Sequence, residues 1–181
     1  RSSDLYISMR DPAMTSEWFM EDKETHEAII DDTAGIVKTY EAVTQYCGFQ
    51  SIEAGKTMGL FPYGKPNDNI PPLYTDAGGD WRSSDRNVII PTYPNGALVN
   101  EGRFNELVTP EKNDDLTKLQ SRRDLAYAVQ TESQEEVLRL IRKAVETTGH
   151  KNVVLSGGYG LNCVANYWYL KELKDEGINL Y

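Results

Sequence analysis

Ser156-Gly157-Gly158-Tyr159-Gly160 follows a short apolar run at 153–155 and precedes Leu161-Asn162-Cys163-Val164-Ala165-Asn166, where the spacing becomes helical. Branched apolar residues favour the pleat, so 153–155 reads as a buried strand that ends at Ser156. Residues without a Cβ let the backbone reverse tightly and let a ligand approach the main chain. A helix starting near Leu161 would point its unpaired N–H groups and dipole at whatever sits above the turn. That arrangement suits an anion, with Ser156, Gly157 and Gly158 as its cradle. Many strand-to-helix turns carry glycine only in order to turn. Asn162 and Asn166, four residues apart on one helix face, add amides that donate and accept, as a ribose, base or phosphate contact requires.

Gly55-Lys56-Thr57 is the second candidate. A Walker A loop needs glycine five residues before Gly55, but that position is Gln50, and the preceding segment reads as a helix end. Lys56 is left as a point charge for a phosphate or as an ordinary surface lysine. His26 and His150 are isolated and read as surface residues, so neither a metal ligand nor a catalytic residue is assigned here. Cys47 and Cys163 sit on predicted helices among apolar residues, with no second cysteine near either. They read as packed, reduced thiols of a cytoplasmic protein.

Three blocks carry a resemblance. Residues 156–166 closely resemble the Gly-Gly-Val-Ala-Leu-Asn-Cys-Val-Ala-Asn block of the O-carbamoyltransferases that modify antibiotics and nodulation factors, with Tyr159 and Gly160 as departures. Residues 53–64 resemble that family's Glu-Gly-Lys-x-Met-Gly-Leu-Ala-x-Tyr-Gly signature. Gly35 to Tyr40, Val43-Thr44 and Gly48-Phe49 are similar to its Gly-x-x-Tyr-x-x-Val-Thr-x-x-Leu-Gly-Phe helix. The likeness runs in the family's order over residues 30–175 and is weakest over 66–115.

The resemblance implies a transferase that moves a carbamoyl group onto an acceptor hydroxyl. Carbamoyl phosphate and ATP first give carbamoyl-adenylate in a YrdC-like domain, and an actin-like domain then performs the transfer. Lys56, Ser156, Gly157, Gly158 and Asn162 are the expected nucleotide contacts. The acceptor would be a small molecule. An iron-type divalent metal is implied for the full-length enzyme, its His-x-x-x-His pair and aspartate lying outside this chain. The expected fold is one half of an actin-like or ribonuclease-H-like α/β domain (the ASKHA fold) with a loop-rich insertion at 66–115. Arg1 and the strand-like ending at Tyr181 read as truncation at both ends, lacking an N-terminal half and a C-terminal YrdC-like domain, so the piece alone is expected to be inactive. A tRNA threonylcarbamoyl transferase and a non-catalytic nucleotide-binding module are the alternatives. Thr39, where the tRNA branch carries an aspartate, speaks against the former.

The elements that must position these residues follow from patterning. Residues 4–9 and 17–20 read as a hairpin. Asp31 and Asp32 read as caps of a helix over 33–47, whose Ile36, Val37, Tyr40, Val43 and Cys47 form a buried face ended by Gly48. Strands are expected at 87–90 and 97–100. Tyr74, Trp81 and Tyr93 would line an acceptor pocket or, the preferred reading, fasten the insertion to its domain. Leu125, Val129, Ser133, Val137, Ile141 and Val145 mark a helix over 117–148 with one buried stripe, a solvated face at Glu132, Glu135 and Glu136, and a stop at Gly149. A last strand opens at Ile178. The 181 residues, 39% hydrophobic and 26% charged, suffice for one core. A formal charge of −9 argues against a broad grip on nucleic acid, and no apolar run reaches the roughly 20 residues of a membrane span.

Overall fold

A computed structural model describes residues 5–8, 18–21, 28–32, 36–74, 88–92, 96–109 and 111–181. The two expected N-terminal strands are β1 (Leu5–Ser8) and β2 (Trp18–Glu21), paired antiparallel. A third strand, β3 (Ala28–Asp32), extends the meander antiparallel to β2. This corrects the reading of Asp31 and Asp32 as helix caps: they pair across the ladder with Phe19 and Trp18. Ile29 and Ile30 are the β-favouring residues, and the strand runs through both aspartates to end at Asp32.

Helix α1 (Ile36–Tyr46) buries Ile36, Tyr40 and Val43 at the expected three-to-four spacing. Gly48, at φ +92°, ends it with an N–H bond to the Gln45 carbonyl. A 3₁₀ turn (Ser51–Glu53) leads into the short helix α2 (Ala54–Leu60) and a second 3₁₀ turn (Phe61–Tyr63). The 66–115 segment contains the hairpin β4 (Ile89–Thr92) and β5 (Gly96–Val99), close to the expected strands. It also contains a helix that its Gly- and Asn-rich composition hid, α3 (Glu101–Leu107), whose N-cap Asn100 accepts the Arg103 N–H at 3.1 Å and whose Phe104 is buried. Tyr74 is buried and donates to the Ile36 carbonyl at 3.3 Å, which fastens the chain there to α1. Trp81 and Tyr93 lie outside the described residues.

Helix α4 (Gln120–Thr148) is 29 residues long. Its leading N–H groups are capped by Glu111, whose two carboxylate oxygens accept from the Gln120 and Ser121 backbones at 3.0 and 2.8 Å. Gly149, at φ +71°, closes the other end. The helix buries more than one stripe: Ala126, Gln130, Gln134 and Leu138 are buried beside Leu125, Val129, Ser133, Val137 and Ile141. Contacts with α1 and α2 and with α5 (Cys163–Glu172) account for the second. Strand β6 (Asn152–Ser156) is interior, parallel to β1 on one side and to β7 (Asn179–Leu180) on the other. The sheet order is β3-β2-β1-β6-β7, with β4 and β5 forming a separate two-stranded sheet.

Candidate functional site

At the C-terminal end of β6, Ser156, Gly157 and Gly158 are exposed at the edge where parallel strands of α/β sheets present ligands. Gly157 adopts φ +102°, a conformation that L side chains rarely take, and begins a 3₁₀ turn (Gly158–Leu161). A Cβ on Gly158 would meet nothing within 4 Å, so the fold itself does not demand glycine there. Helix α5 then starts at Cys163, and Asn162 is its N-cap, accepting from the Ala165 N–H at 3.0 Å. Asn166 donates from Nδ2 to the Gly160 carbonyl at 2.7 Å and ties the turn to the helix, while its buried Oδ1 has no partner.

Beside the turn lies a cavity of about 480 Å³ lined by α1 (Val37, Tyr40, Glu41), by the 51–58 segment (Ile52, Gly55 and Met58 among its residues) and by Gly158, Tyr159, Leu161 and Asn162. Two segments that resemble family signatures, separated by about a hundred residues of chain, thus share one cavity wall. Gly55 resembles Gly158 in that no atom within 4 Å would oppose a Cβ. Of the five expected nucleotide contacts, Gly158 and Asn162 line this cavity and Lys56, Ser156 and Gly157 do not. The Lys56 ammonium instead contacts the Glu53 carboxylate at 2.5 Å and lies 5.6 Å from the centre of the Phe49 ring. Thr57, the remaining polar residue of the Gly-Lys-Thr triplet, is fully buried and donates to Thr44 Oγ1 at 2.8 Å, so its hydroxyl braces α2 on α1.

Behind the cavity is a buried polar network. Gln130 Oε1 accepts from Tyr40 Oη at 2.6 Å and from Asn162 Nδ2 at 3.0 Å; Gln130 Nε2 donates to Gln134 Oε1 at 2.6 Å and to Asn162 Oδ1 at 3.2 Å. Tyr159 donates to Ser133 Oγ at 2.8 Å, and its ring meets that of Tyr40 edge to face at 6.0 Å. Burial pushes the Tyr159 hydroxyl up to about 12 and that of Tyr40 above the tyrosine range, so both remain neutral hydrogen-bonding groups at ordinary pH. Thr39 is fully buried in the same helix as Tyr40 and does not line the cavity.

The chain matches the family described as carbamoyltransferase N-terminus over residues 9–178. It belongs to the carbamoyltransferase family. It is 34% identical over 148 residues to the uncharacterized protein sll1178 of Synechocystis sp. (strain ATCC 27184 / PCC 6803 / Kazusa), a stretch that is 77% of this chain and 23% of that protein. The chain therefore spans less than a quarter of the length of the curated relative it matches.

Several features of this carbamoyltransferase segment lie outside what the sequence alone indicated. Gln130, Gln134 and Tyr40 hold the cavity wall; the visible signal was a pair of glutamines four apart, one step off the apolar ladder of a long helix. Glu132 is not a solvated residue: it is half-buried and accepts the Leu73 N–H at 2.6 Å. Burial, aided by Glu135 and Glu136, raises its carboxyl to about 7 against the pull of the Leu73 and Tyr74 backbone bonds. Cys47 is packed as expected, its thiol pushed up to about 12 by burial. Cys163 is not; it is exposed, with Sγ 3.9 Å from the Met58 sulfur. His150 is half-buried behind Gly149, and His26 lies outside the described residues.

Proposed function

We propose that this chain forms the nucleotide-facing part of an ATP-dependent O-carbamoyltransferase, in which a carbamoyl group passes from carbamoyl-adenylate to a hydroxyl of a small-molecule acceptor. The observation that carries the reading is the convergence of the glycine turn and the 51–58 segment on one cavity, with Gly55 and Gly158 leaving open space on its wall. Family membership supplies the reaction class. The sheet order, a three-stranded antiparallel meander continued by two parallel strands, supports one half of a ribonuclease-H-like or actin-like domain. In that reading a nucleotide sits at the C-terminal end of β6 and a second half closes over it.

In the transfer, the acceptor hydroxyl oxygen bonds to the carbamoyl carbon and releases its proton to solvent, the bond from that carbon to the phosphate oxygen breaks, and AMP leaves with the electron pair. Negative charge grows on the phosphate side, where N–H groups of the turn and of the α5 N-terminus act as donors. The carbamoyl phosphate and ATP that make the adenylate would react in a YrdC-like domain of the complete protein. An iron-type metal, if it serves this enzyme, would draw its ligands from elsewhere in that protein. Among the described residues no three His, Cys, Asp or Glu side chains form a group that could hold a metal ion. None of the described helices is long and apolar enough to cross a membrane. The buried Thr39, at the position where the tRNA branch carries an aspartate, favours the small-molecule reading over the threonylcarbamoyl one.

Titration of the complete protein with a non-hydrolysable ATP analogue tests the site. Gly158→Val fills the open wall and is expected to weaken binding at least tenfold. Asn162→Ala removes an amide and a helix cap, costing about 1 kcal/mol or more. AMP release from ATP, carbamoyl phosphate and a panel of hydroxyl compounds tests the reaction. Unaltered affinity in both variants would leave the turn a purely structural feature.

A further inference from the structure

A large apolar side chain left in water is ordinary when it stands alone. Two that share one cavity are another matter. Among the described residues Ile52 and Leu161 are the most exposed large hydrophobics, at 88% and 83%, and both line the cavity beside the glycine turn. Each belongs to a 3₁₀ turn, Ile52 to Ser51–Glu53 and Leu161 to Gly158–Leu161, on the two segments that meet there. Each also has a cavity-lining glycine three residues away, Gly55 and Gly158, and a Cβ on either would meet nothing within 4 Å. Residues three apart eclipse in a 3₁₀ turn, so the bare Gly158 leaves open space beside Leu161. Both lips of the cavity thus carry the same unit, an aliphatic chain next to a gap in the wall.

The polar side chains buried in that wall bond inward. Tyr40 Oη is held by Gln130 and Tyr159 Oη by Ser133. The Asn162 amide closes a ring of two reciprocal bonds with Gln130, caps Ala165 and meets the Tyr40 hydroxyl. Among the described residues that line the cavity Glu41 alone is charged, a carboxylate bound to Lys38 at 3.0 Å. A phosphate entering would meet that carboxylate and find no lining cation. An uncharged flat ring gains from the two aliphatic chains instead.

We infer that Ile52 and Leu161 are specificity-determining residues that grip the base of the nucleotide by its two faces, with the ring lodged in the gaps at Gly55 and Gly158 and the phosphates outside, over the exposed Ser156 and Gly157. This rests on the nucleotide reading above and deepens it by fixing which end of the ligand enters. The cavity, at about 480 Å³, lies within the range of roughly 300–1,000 Å³ typical of small-molecule sites. Selection comes from ring area: a purine presents more face to the two chains than a pyrimidine does. The carbamoyl-bearing phosphate is then held at the rim, where an acceptor reaches it.

Titration of the complete protein with a non-hydrolysable ATP analogue, its cytidine counterpart, adenosine and inorganic tripolyphosphate tests the assignment without turnover. Ile52→Ser and Leu161→Ser change exposed side chains, so the thermal midpoint should stay that of the parent. Each should weaken the ATP analogue and adenosine by the same factor, roughly five- to tenfold, and leave tripolyphosphate unaltered. The cytidine analogue should bind the parent less tightly than the adenosine one and lose less in each variant. Variants that bind the ATP analogue and adenosine as the parent does overturn the inference and leave the nucleotide reading intact. If their thermal midpoint falls as well, the lips are covered by another part of the complete protein and not by a base. An equal loss of tripolyphosphate also overturns it, because the phosphate end would then depend on the lips. Parent protein that binds none of the four ligands overturns the nucleotide reading itself, and the inference with it.

Discussion

Three glycines of the 53–64 signature look alike in sequence and have different duties in the fold. A Cβ on Gly64 would lie 2.0 Å from the Arg123 carbonyl oxygen and 2.8 Å from Tyr127 Cβ. Backbone has nowhere to move there, so Gly64→Ala is expected to destabilise by about 1–3 kcal/mol or more, as overpacking against a rigid helix does. Gly55 and Gly59 meet nothing within 4 Å. In a helix interior each costs about 0.5–1 kcal/mol relative to alanine, so Gly55→Ala and Gly59→Ala should raise the thermal midpoint. If a nucleotide seats against the cavity wall, Gly55→Ala stabilises the protein and weakens binding together, whereas Gly59→Ala, which does not line the cavity, only stabilises it. Chemical denaturation and analogue titration of the three variants separate these outcomes.

Elements show where sequence patterning succeeds and where it stops. Helices α1 and α4 and strand β6 were legible because burial imposes a period, and each is followed by a glycine at positive φ that ends it: Gly48, Gly149 and Gly157. Strand β3 was obscured by Asp31 and Asp32, which suit a helix start equally well when no partner strand is visible. The Gln130–Asn162 ring joins residues 32 apart, and no local period encodes that contact. Glu132 is a related case. It shares its side of α4 with Glu135 and Glu136, but the Leu73 and Tyr74 backbone packs down onto it. Its folded carboxyl, at about 7, lies above the unfolded value, so the folded state binds the proton more tightly. The contribution to stability is therefore full below the unfolded value and lost as pH rises through about 7. Glu132→Gln keeps an acceptor for Leu73 and removes the charge. It should stabilise by about 1–3 kcal/mol at pH 8 and change little at pH 5, measured by urea unfolding at both pH values.

Over the whole molecule, α4 acts as the common support. At 29 residues it runs for about 43 Å and meets α1, α2, α5 and the 61–63 turn. Asp124, buried near its start, accepts the Lys65 N–H at 3.1 Å, Asn67 Nδ2 at 3.0 Å and Gln120 Nε2 at 2.7 Å. The carboxylate thereby pins the chain leaving the 53–64 signature. Asp124→Ala leaves three donors without this acceptor and should cost about 2–4 kcal/mol, with faster hydrogen exchange at Lys65 as the local sign. Glycine turn and signature are thus carried to the same cavity by a single helix that bonds to both.

The unequal fate of the two cysteines gives this protein a built-in counter. Cys47 is sealed in the core and Cys163 stands at the surface, at the first residue of α5 and beside the Asn162 that lines the cavity. A maleimide or Ellman's reagent should therefore titrate one thiol per native chain and two once it unfolds. Because the Cys163 sulfur touches that of Met58 at 3.9 Å, and Met58 lines the cavity, its rate of modification should register whether the cavity is filled. Stoichiometry reports the fold and kinetics report occupancy, from an unmodified sequence and without a substrate having been identified.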